Sequence, residues 1–217
     1  LAPTGGPMTL LRGAAGVEAR PTYRAPGIIF AQAAFSPADG PVLTGSVADG
    51  VLGADLMRSA TVEFDGPAGR VTLHKDARRF ARWDIVPAVR TPNGLTLVEV
   101  TVAGAPAVAL LDTGAARSVA NGALAARLTC SGAAEAVAGV DGTARPARAC
   151  EPTGVAALGV HKQASLTACD LVLFESLGLK DRPALILGLD VLRDARFVLD
   201  GPSGGVFAPP ATALAAR

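Results

Sequence analysis

Apolar and polar positions alternate from Leu95 to Ala103, and a near-continuous apolar run follows from Ala105 to Leu111. Gly104 and Ala105 stand between the two stretches, so the pattern predicts a β-hairpin with one face buried. The run ends on a charged residue, in Asp112-Thr113-Gly114-Ala115-Ala116-Arg117-Ser118. A carboxylate closing a buried strand and followed by glycine calls for a chemical reason.

A second pattern is a self-match. Residues 52–71, LGADLMRSATVEFDGPAGRV, align without a gap on residues 187–206, LGLDVLRDARFVLDGPSGGV, 135 positions later. Ten of the twenty positions are identical, among them Gly53/Gly188, Asp55/Asp190, Gly66/Gly201 and Pro67/Pro202. Such a repeat points to two homologous lobes. Each copy reads alike: a buried strand (Val51-Leu52, or Leu185-Ile186-Leu187), a glycine and a short helical turn. A strand follows (Thr61 to Phe64, or Arg196 to Leu199), then an Asp-Gly-Pro turn and a last strand from Val71 or Val206. The expected architecture is all-β and antiparallel, with helices only as short pieces near Asn121–Leu128 and Leu189–Arg193.

Composition narrows the function classes. Half of the 217 residues are hydrophobic, which suffices for a globular core. Lys and Arg number 20 against 19 Asp and Glu, so no net field recruits nucleic acid or an anionic membrane. No apolar run reaches the roughly 18 residues a spanning helix needs. Leu1 in place of a start methionine suggests a removed leader or a start within a gene. The three cysteines, Cys130, Cys150 and Cys169, lack zinc-site spacing. Either Cys130 and Cys150 form one bridge and leave Cys169 buried, or all three are core thiols. His74 and His161 are isolated, so no metal site is expected. Residues 74–94 are basic and carry Trp83; they read as a solvated connector onto which Phe80 and Trp83 pack, ending in a turn at Pro92-Asn93-Gly94.

The string Ala109-Leu110-Leu111-Asp112-Thr113-Gly114-Ala115 resembles the active-site strand and turn of the retropepsin-like and pepsin-like aspartic proteases. Ala184-Leu185-Ile186-Leu187-Gly188 resembles the element that closes each lobe in that family. The resemblance implies two homologous retropepsin-like β-barrel lobes: residues 1–90, incomplete, with the basic connector from about 74, and residues 91–217 with the Asp-Thr-Gly. It implies hydrolysis of peptide bonds without cofactor or metal. Two carboxylates about 3 Å apart cannot both ionise, so one activates water while the other polarises the scissile carbonyl.

By the same resemblance Asp112 is one carboxylate of that pair. Thr113 braces the turn against the partner lobe, Gly114 and Ala115 complete it, and Leu187 and Gly188 are the closing element. Gly139, Val140, Asp141 and Gly142 form a Gly-bracketed turn that is a candidate flap; Arg12 to Val17 is a similar turn in the first half. Shifting Asp112 back by the repeat distance lands before Leu1. The second carboxylate is therefore expected upstream of this chain, or from a second copy in a homodimer. The competing reading is a non-catalytic peptide-binding or scaffold module of the same fold. A periplasmic or secreted location is expected from the absent methionine and the possible disulfide.

Overall fold

The computed structural model describes residues 8–12, 14–25, 28–30, 33–35, 38–41, 53–139 and 142–210. Six short strands come first: β1 (Thr9–Arg12), β2 (Val17–Arg20), β3 (Thr22–Ala25), β4 (Ile28–Phe30), β5 (Ala33–Phe35) and β6 (Ala38–Pro41). They pair antiparallel as β1 with β2, β3 with β6 and β4 with β5. The first repeat supplies α1 (Ala54–Met57), β7 (Thr61–Asp65) and β8 (Arg70–His74). A 3-10 turn at Arg78–Phe80 leads to β9 (Asp84–Val86) and β10 (Ala88–Arg90).

The expected hairpin follows as β11 (Thr96–Val102) and β12 (Ala105–Leu111), paired antiparallel through Gly104 at φ +76°. Burial along β11 alternates as the sequence pattern requires, with Val98, Val100 and Val102 inward. Next come β13 (Val119–Ala120), α2 (Gly122–Ala125), β14 (Cys130–Ala138), β15 (Ala144–Cys150), β16 (Thr153–Ala157), β17 (Val160–Ala164) and β18 (Thr167–Ala168). The chain continues through α3 (Val172–Ser176), β19 (Ala184–Leu187), α4 (Leu189–Leu192), β20 (Arg196–Asp200) and β21 (Val206–Ala208). The fold is all-β as expected.

Two sheets carry the architecture. The ten-stranded sheet runs β14-β15-β18-β13-β19-β12-β11-β16-β17, with β10 added on β11. It is mixed: β12 lies parallel to β19, and β13 parallel to β18. The five-stranded sheet runs β8-β7-β20-β21-β9 and joins the two repeats.

That junction follows the sequence repeat closely. α1 and α4 cover equivalent residues of the two copies. β7 pairs antiparallel with β20, and Glu63 lies opposite Val198, its own counterpart in the repeat. A local two-fold axis therefore passes between Glu63 and Val198, and contacts occur in matched pairs. The Gly66 N–H donates to Ala195 O at 3.0 Å, and the Gly201 N–H donates to Ala60 O at 2.9 Å. A Cβ on Gly66 would lie 2.5 Å from Arg193 O, and one on Gly201 would lie 2.2 Å from Met57 O. The two Asp-Gly-Pro turns thus need glycine because the opposite copy's helix end presses on them.

The faces of this sheet differ. Phe64 and Phe197 stack at 4.9 Å on the face toward the main core, which also holds Leu187, Val191 and Leu192. Thr61, Glu63, Asp65 and Asp200 are buried on the other face. There Arg196 donates to Glu63 Oε1 through Nε at 2.9 Å and Nη2 at 2.5 Å, and His74 Nε2 lies 2.6 Å from Glu63 Oε2. Burial pushes the Glu63 carboxyl up, but hydrogen bonds and charge from Arg196 and His74 outweigh it, and the pKa lies below the ordinary value. A depressed carboxyl pKa stabilises the fold above the ordinary carboxyl range, and that contribution disappears as pH falls through the folded value. We expect Glu63→Gln to lower stability by roughly 2 kcal/mol at neutral pH. Thermal melts at about pH 7 and about pH 4 check it: the variant should lose less on acidification than the parent.

Three expectations change. Residues 74–94 are not only a connector. Phe80 is buried and meets Trp83 edge-on at 4.9 Å, as anticipated, but β9 extends one sheet and β10 the other. Chain running between two sheets satisfies its backbone by pairing with strand segments left open on one side, the edge of β21 and the first half of β11. The helix α3 at Val172–Ser176 was not anticipated, because a short apolar run does not distinguish helix from strand. Parallel pairing inside the large sheet was not anticipated either; it arises because β19 returns beside β12 after the long excursion through β18. Val51 and Leu52 lie outside the described residues.

Candidate active site

Asp112 is the residue immediately after β12, and β12 is clamped between β11 and β19. The parallel register sets Leu111 beside Leu187, and the Asp112 N–H donates to Leu187 O at 3.1 Å. The chain then turns sharply. The Ala115 N–H donates to Asp112 O at 3.2 Å, and the Gly114 N–H donates to Asp112 Oδ1 at 2.9 Å. A Cβ on Gly114 would stand 3.2 Å from that oxygen, a tight contact that glycine avoids. The carboxylate is half-buried.

The closing element locks this turn from beneath. The Leu189 N–H donates to Ala115 O at 2.8 Å. A Cβ on Gly188 would fall 2.7 Å from Arg117 C and 2.8 Å from Ala115 O, so only glycine fits there. Leu187 and Gly188 lie against the Asp112 turn.

Two residues missed by sequence reasoning complete the lock. Ser118 is fully buried; its Oγ donates to Asp190 Oδ1 at 2.7 Å and accepts from the Gly188 N–H at 3.0 Å. Asp190 Oδ2 accepts from the Ser118 N–H at 3.0 Å. Asp190 was visible as one of the repeat identities, but its role needs the fold. Asn121, also fully buried, caps α2 by accepting from the Leu124 N–H at 2.9 Å, and donates to Leu179 O and Arg182 O at 2.7 Å each. We expect Ser118→Ala to cost about 2 kcal/mol, because it strands the buried Gly188 N–H and removes one of the two hydrogen bonds from Ser118 to the Asp190 carboxylate. Chemical denaturation of the variant against the parent measures this.

Other anticipated parts stand differently. Among the described residues no hydrogen bond reaches the Thr113 hydroxyl, so the brace expected of it is not formed within them. Likewise no side-chain hydrogen bond or ion pair joins Asp112 to a second carboxylate. The candidate flap is the tip of the β14–β15 hairpin. The Gly139 N–H donates to Thr143 O at 3.2 Å, and the Gly142 N–H donates to Gly139 O at 3.0 Å. Gly142 has φ +75°, which requires glycine or a strained residue. Val140 and Asp141 lie outside the described residues. Cys130 and Cys150 form a disulfide at the base of this hairpin, and Cys169 is free and buried. A surface cavity of about 590 Å³, with Glu99, His161 and Arg182 in its lining, includes none of the Asp112 turn.

Residues 98–191 match the family described as aspartyl protease. This matched stretch is similar to the aspartic proteases over less than half of the chain. It contains Asp112, the whole turn, the hairpin tip and the closing element. Among solved structures the chain is similar to "EIAV protease complexed with the inhibitor HBY-793", at 25% identity and a TM-score of 0.33. That match covers 50% of this chain and 86% of the other. No curated protein matches the chain. No helix among the described residues is long and apolar enough to cross a membrane.

Proposed function

We propose that the chain is an aspartic endopeptidase, or the larger part of one, in which Asp112 is one of two carboxylates that activate water. The observation that carries this is the Asp112 turn itself. A carboxylate at a strand end is held by the Gly114 N–H, and Gly188, Ser118 and Asp190 fix its backbone from below. Such fixing serves a reaction in which the carboxylate's position, not its flexibility, matters.

The second carboxylate belongs opposite Asp112 across the local two-fold between Glu63 and Val198. A matching turn on residues upstream of Leu1 meets that geometry; the alternative source, Asp112 of a second copy, needs a separate two-fold axis between the two chains. The pair then shares one proton and titrates as a unit. The ionised member takes a proton from water, and the protonated member donates to the carbonyl oxygen of the peptide bond. The β14–β15 tip closes over the substrate and excludes bulk water. The two-lobe organisation, with the boundary near residue 90, belongs to the same proposal. Nucleic acid is not a proposed partner. A periplasmic or secreted site of action accords with the Cys130–Cys150 disulfide.

The second reading, a peptide-binding scaffold, rests on the missing partner for Asp112 among the described residues. One assay separates the two. The complete protein is incubated with an unstructured protein substrate from about pH 3 to about pH 8, with and without a hydroxyl-bearing mimic of the tetrahedral intermediate. Cleavage at acidic pH that the mimic suppresses supports the protease. Binding of the substrate with no cleavage at any pH supports the scaffold.

A further inference from the structure

Residues 75–82 carry four cations, Lys75, Arg78, Arg79 and Arg82, against one acid, Asp76. Arg79 reaches the polar face of the five-stranded sheet. Its Nη1 lies 3.3 Å from His74 Nδ1, while His74 Nε2 lies 2.6 Å from Glu63 Oε2. A guanidinium has only donors, so Nδ1 accepts from Arg79 and the ring proton sits on Nε2, which donates to the Glu63 carboxylate. The neighbours thus assign the neutral Nε2–H form to His74, whose side chain is 9% exposed.

The same ring anchors the turn that carries Arg79. Phe80 meets it edge-on at 5.1 Å, Arg79 lies over the Phe80 ring at 5.4 Å, and Arg196 lies over the Trp83 ring at 5.2 Å. Directly after the turn, β9 joins the five-stranded sheet and β10 the ten-stranded one, so the turn begins the crossing between them.

The other charges near the ring have partners or lie in solvent. On β7 and β20, Glu63 and Asp65 share Arg196, and Asp65 also meets Arg70 of β8 at 3.5 Å. Asp200 accepts from Thr61 at 2.6 Å, and Asp76 meets Arg78 at 3.5 Å. Lys75, Arg82 and, on β9, Asp84 are exposed. A proton added to Nδ1 therefore meets a cation, in a segment already rich in them.

We propose that His74 is an acid-sensitive latch: a proton on Nδ1 expels Arg79 and frees the turn at residues 78–83 from the five-stranded sheet, loosening the crossing to the ten-stranded sheet. The latched state needs Nδ1 bare and the freed state carries the proton, so falling pH favours the freed state. Against the push of burial, hydrogen bonds and charge from Arg196 and His74 hold the Glu63 pKa below its ordinary value. Glu63 therefore stays ionised and keeps the Nε2–H while Arg79 leaves. The latch is independent of what Asp112 does.

Trp83 is the chain's only tryptophan, so its fluorescence reports the turn. The full chain is titrated from about pH 8 to about pH 5, the range in which imidazoles change charge, with far-ultraviolet circular dichroism on the same sample. Trp83 emission should move to longer wavelength as His74 takes its proton, followed by the nitrogen NMR shifts of the ring, while the circular dichroism holds. The Phe80 and Trp83 amides donate to Ala77 O and Phe80 O at 2.9 Å each. Their protection against hydrogen exchange should fall by at least about tenfold over the same range. His74→Gln keeps a donor for Glu63 but takes no proton, and Arg79→Met removes the cation to be expelled. Both should abolish the emission change, and in Arg79→Met His74 should still titrate. Should His74→Gln fail to fold, Arg79→Met decides alone, because Arg79 is exposed and its replacement leaves the core intact. An emission change that does not follow His74, one that persists in a folded variant, or a loss of circular dichroism at the same pH overturns the proposal.

Discussion

Peptide cleavage by the complete protein is expected to fall by at least about three orders of magnitude with Asp112→Asn, while the fold survives. The amide has nearly the shape of the carboxylate, and its oxygen still accepts from the Gly114 N–H that now meets Asp112 Oδ1 at 2.9 Å. The half-buried position forces no new polar group into the core. What is lost is chemical. An amide cannot share a proton with a second carboxylate, and it cannot take one from water. Cleavage assays at acidic pH, with a thermal melt of the same sample, measure both halves of this statement. Wild-type turnover by a folded Asp112→Asn protein would remove Asp112 from the reaction and favour the scaffold reading.

Gly188→Ala tests the support of the turn and is expected to be the most damaging single methyl addition at the site. The backbone of Gly188, φ −99° and ψ −175°, is open to any residue, so no torsional strain enters. The clash alone acts. The new Cβ would meet Arg117 C at 2.7 Å and the carbonyl oxygens of Ala115 and Arg117 at 2.8 Å. These are backbone atoms, which cannot swing aside. Either the Asp112 turn or the β19–α4 junction must move, at a cost of about 3 kcal/mol, and cleavage should fall with it. Gly104→Ala is the control. It sits at φ +76° with nothing within 4 Å of the added methyl, so it carries torsional cost only, about 1 kcal/mol. Urea denaturation of both variants checks the order. A Gly188→Ala protein as stable as Gly104→Ala would mean that the closing element does not support the turn.

Several parts of this arrangement were legible before any coordinates. The β11–β12 hairpin follows from alternating and continuous apolar runs around Gly104, because a strand exposes its neighbours to opposite faces. The helices α2 and α4 follow from local signals, and the role of Gly188 follows from the repeat, since Gly53 stands at the matching position. The Asp-Gly-Pro turns were read correctly as turns. Their glycines have a further reason, the pressure of the opposite copy at Arg193 O and Met57 O, which no local signal contains.

The sequence by itself determined that the chain is β-rich and duplicated, and that Asp112 closes a buried strand in an aspartic protease pattern. These are properties of short windows, and of two windows compared in register. The tertiary structure decided which distant segments touch. It set β7 against β20 with Glu63 opposite Val198, brought Arg196 and His74 onto Glu63, and joined Ser118 to Asp190 across 72 positions. It also chose between the two readings of the cysteines and set the Ala14–Ala15 backbone against Arg145 and Leu173. The physical reason is the same in each case. Long-range register depends on the summed fit of many weak contacts over the whole sheet, and that sum is written at no single position of the chain.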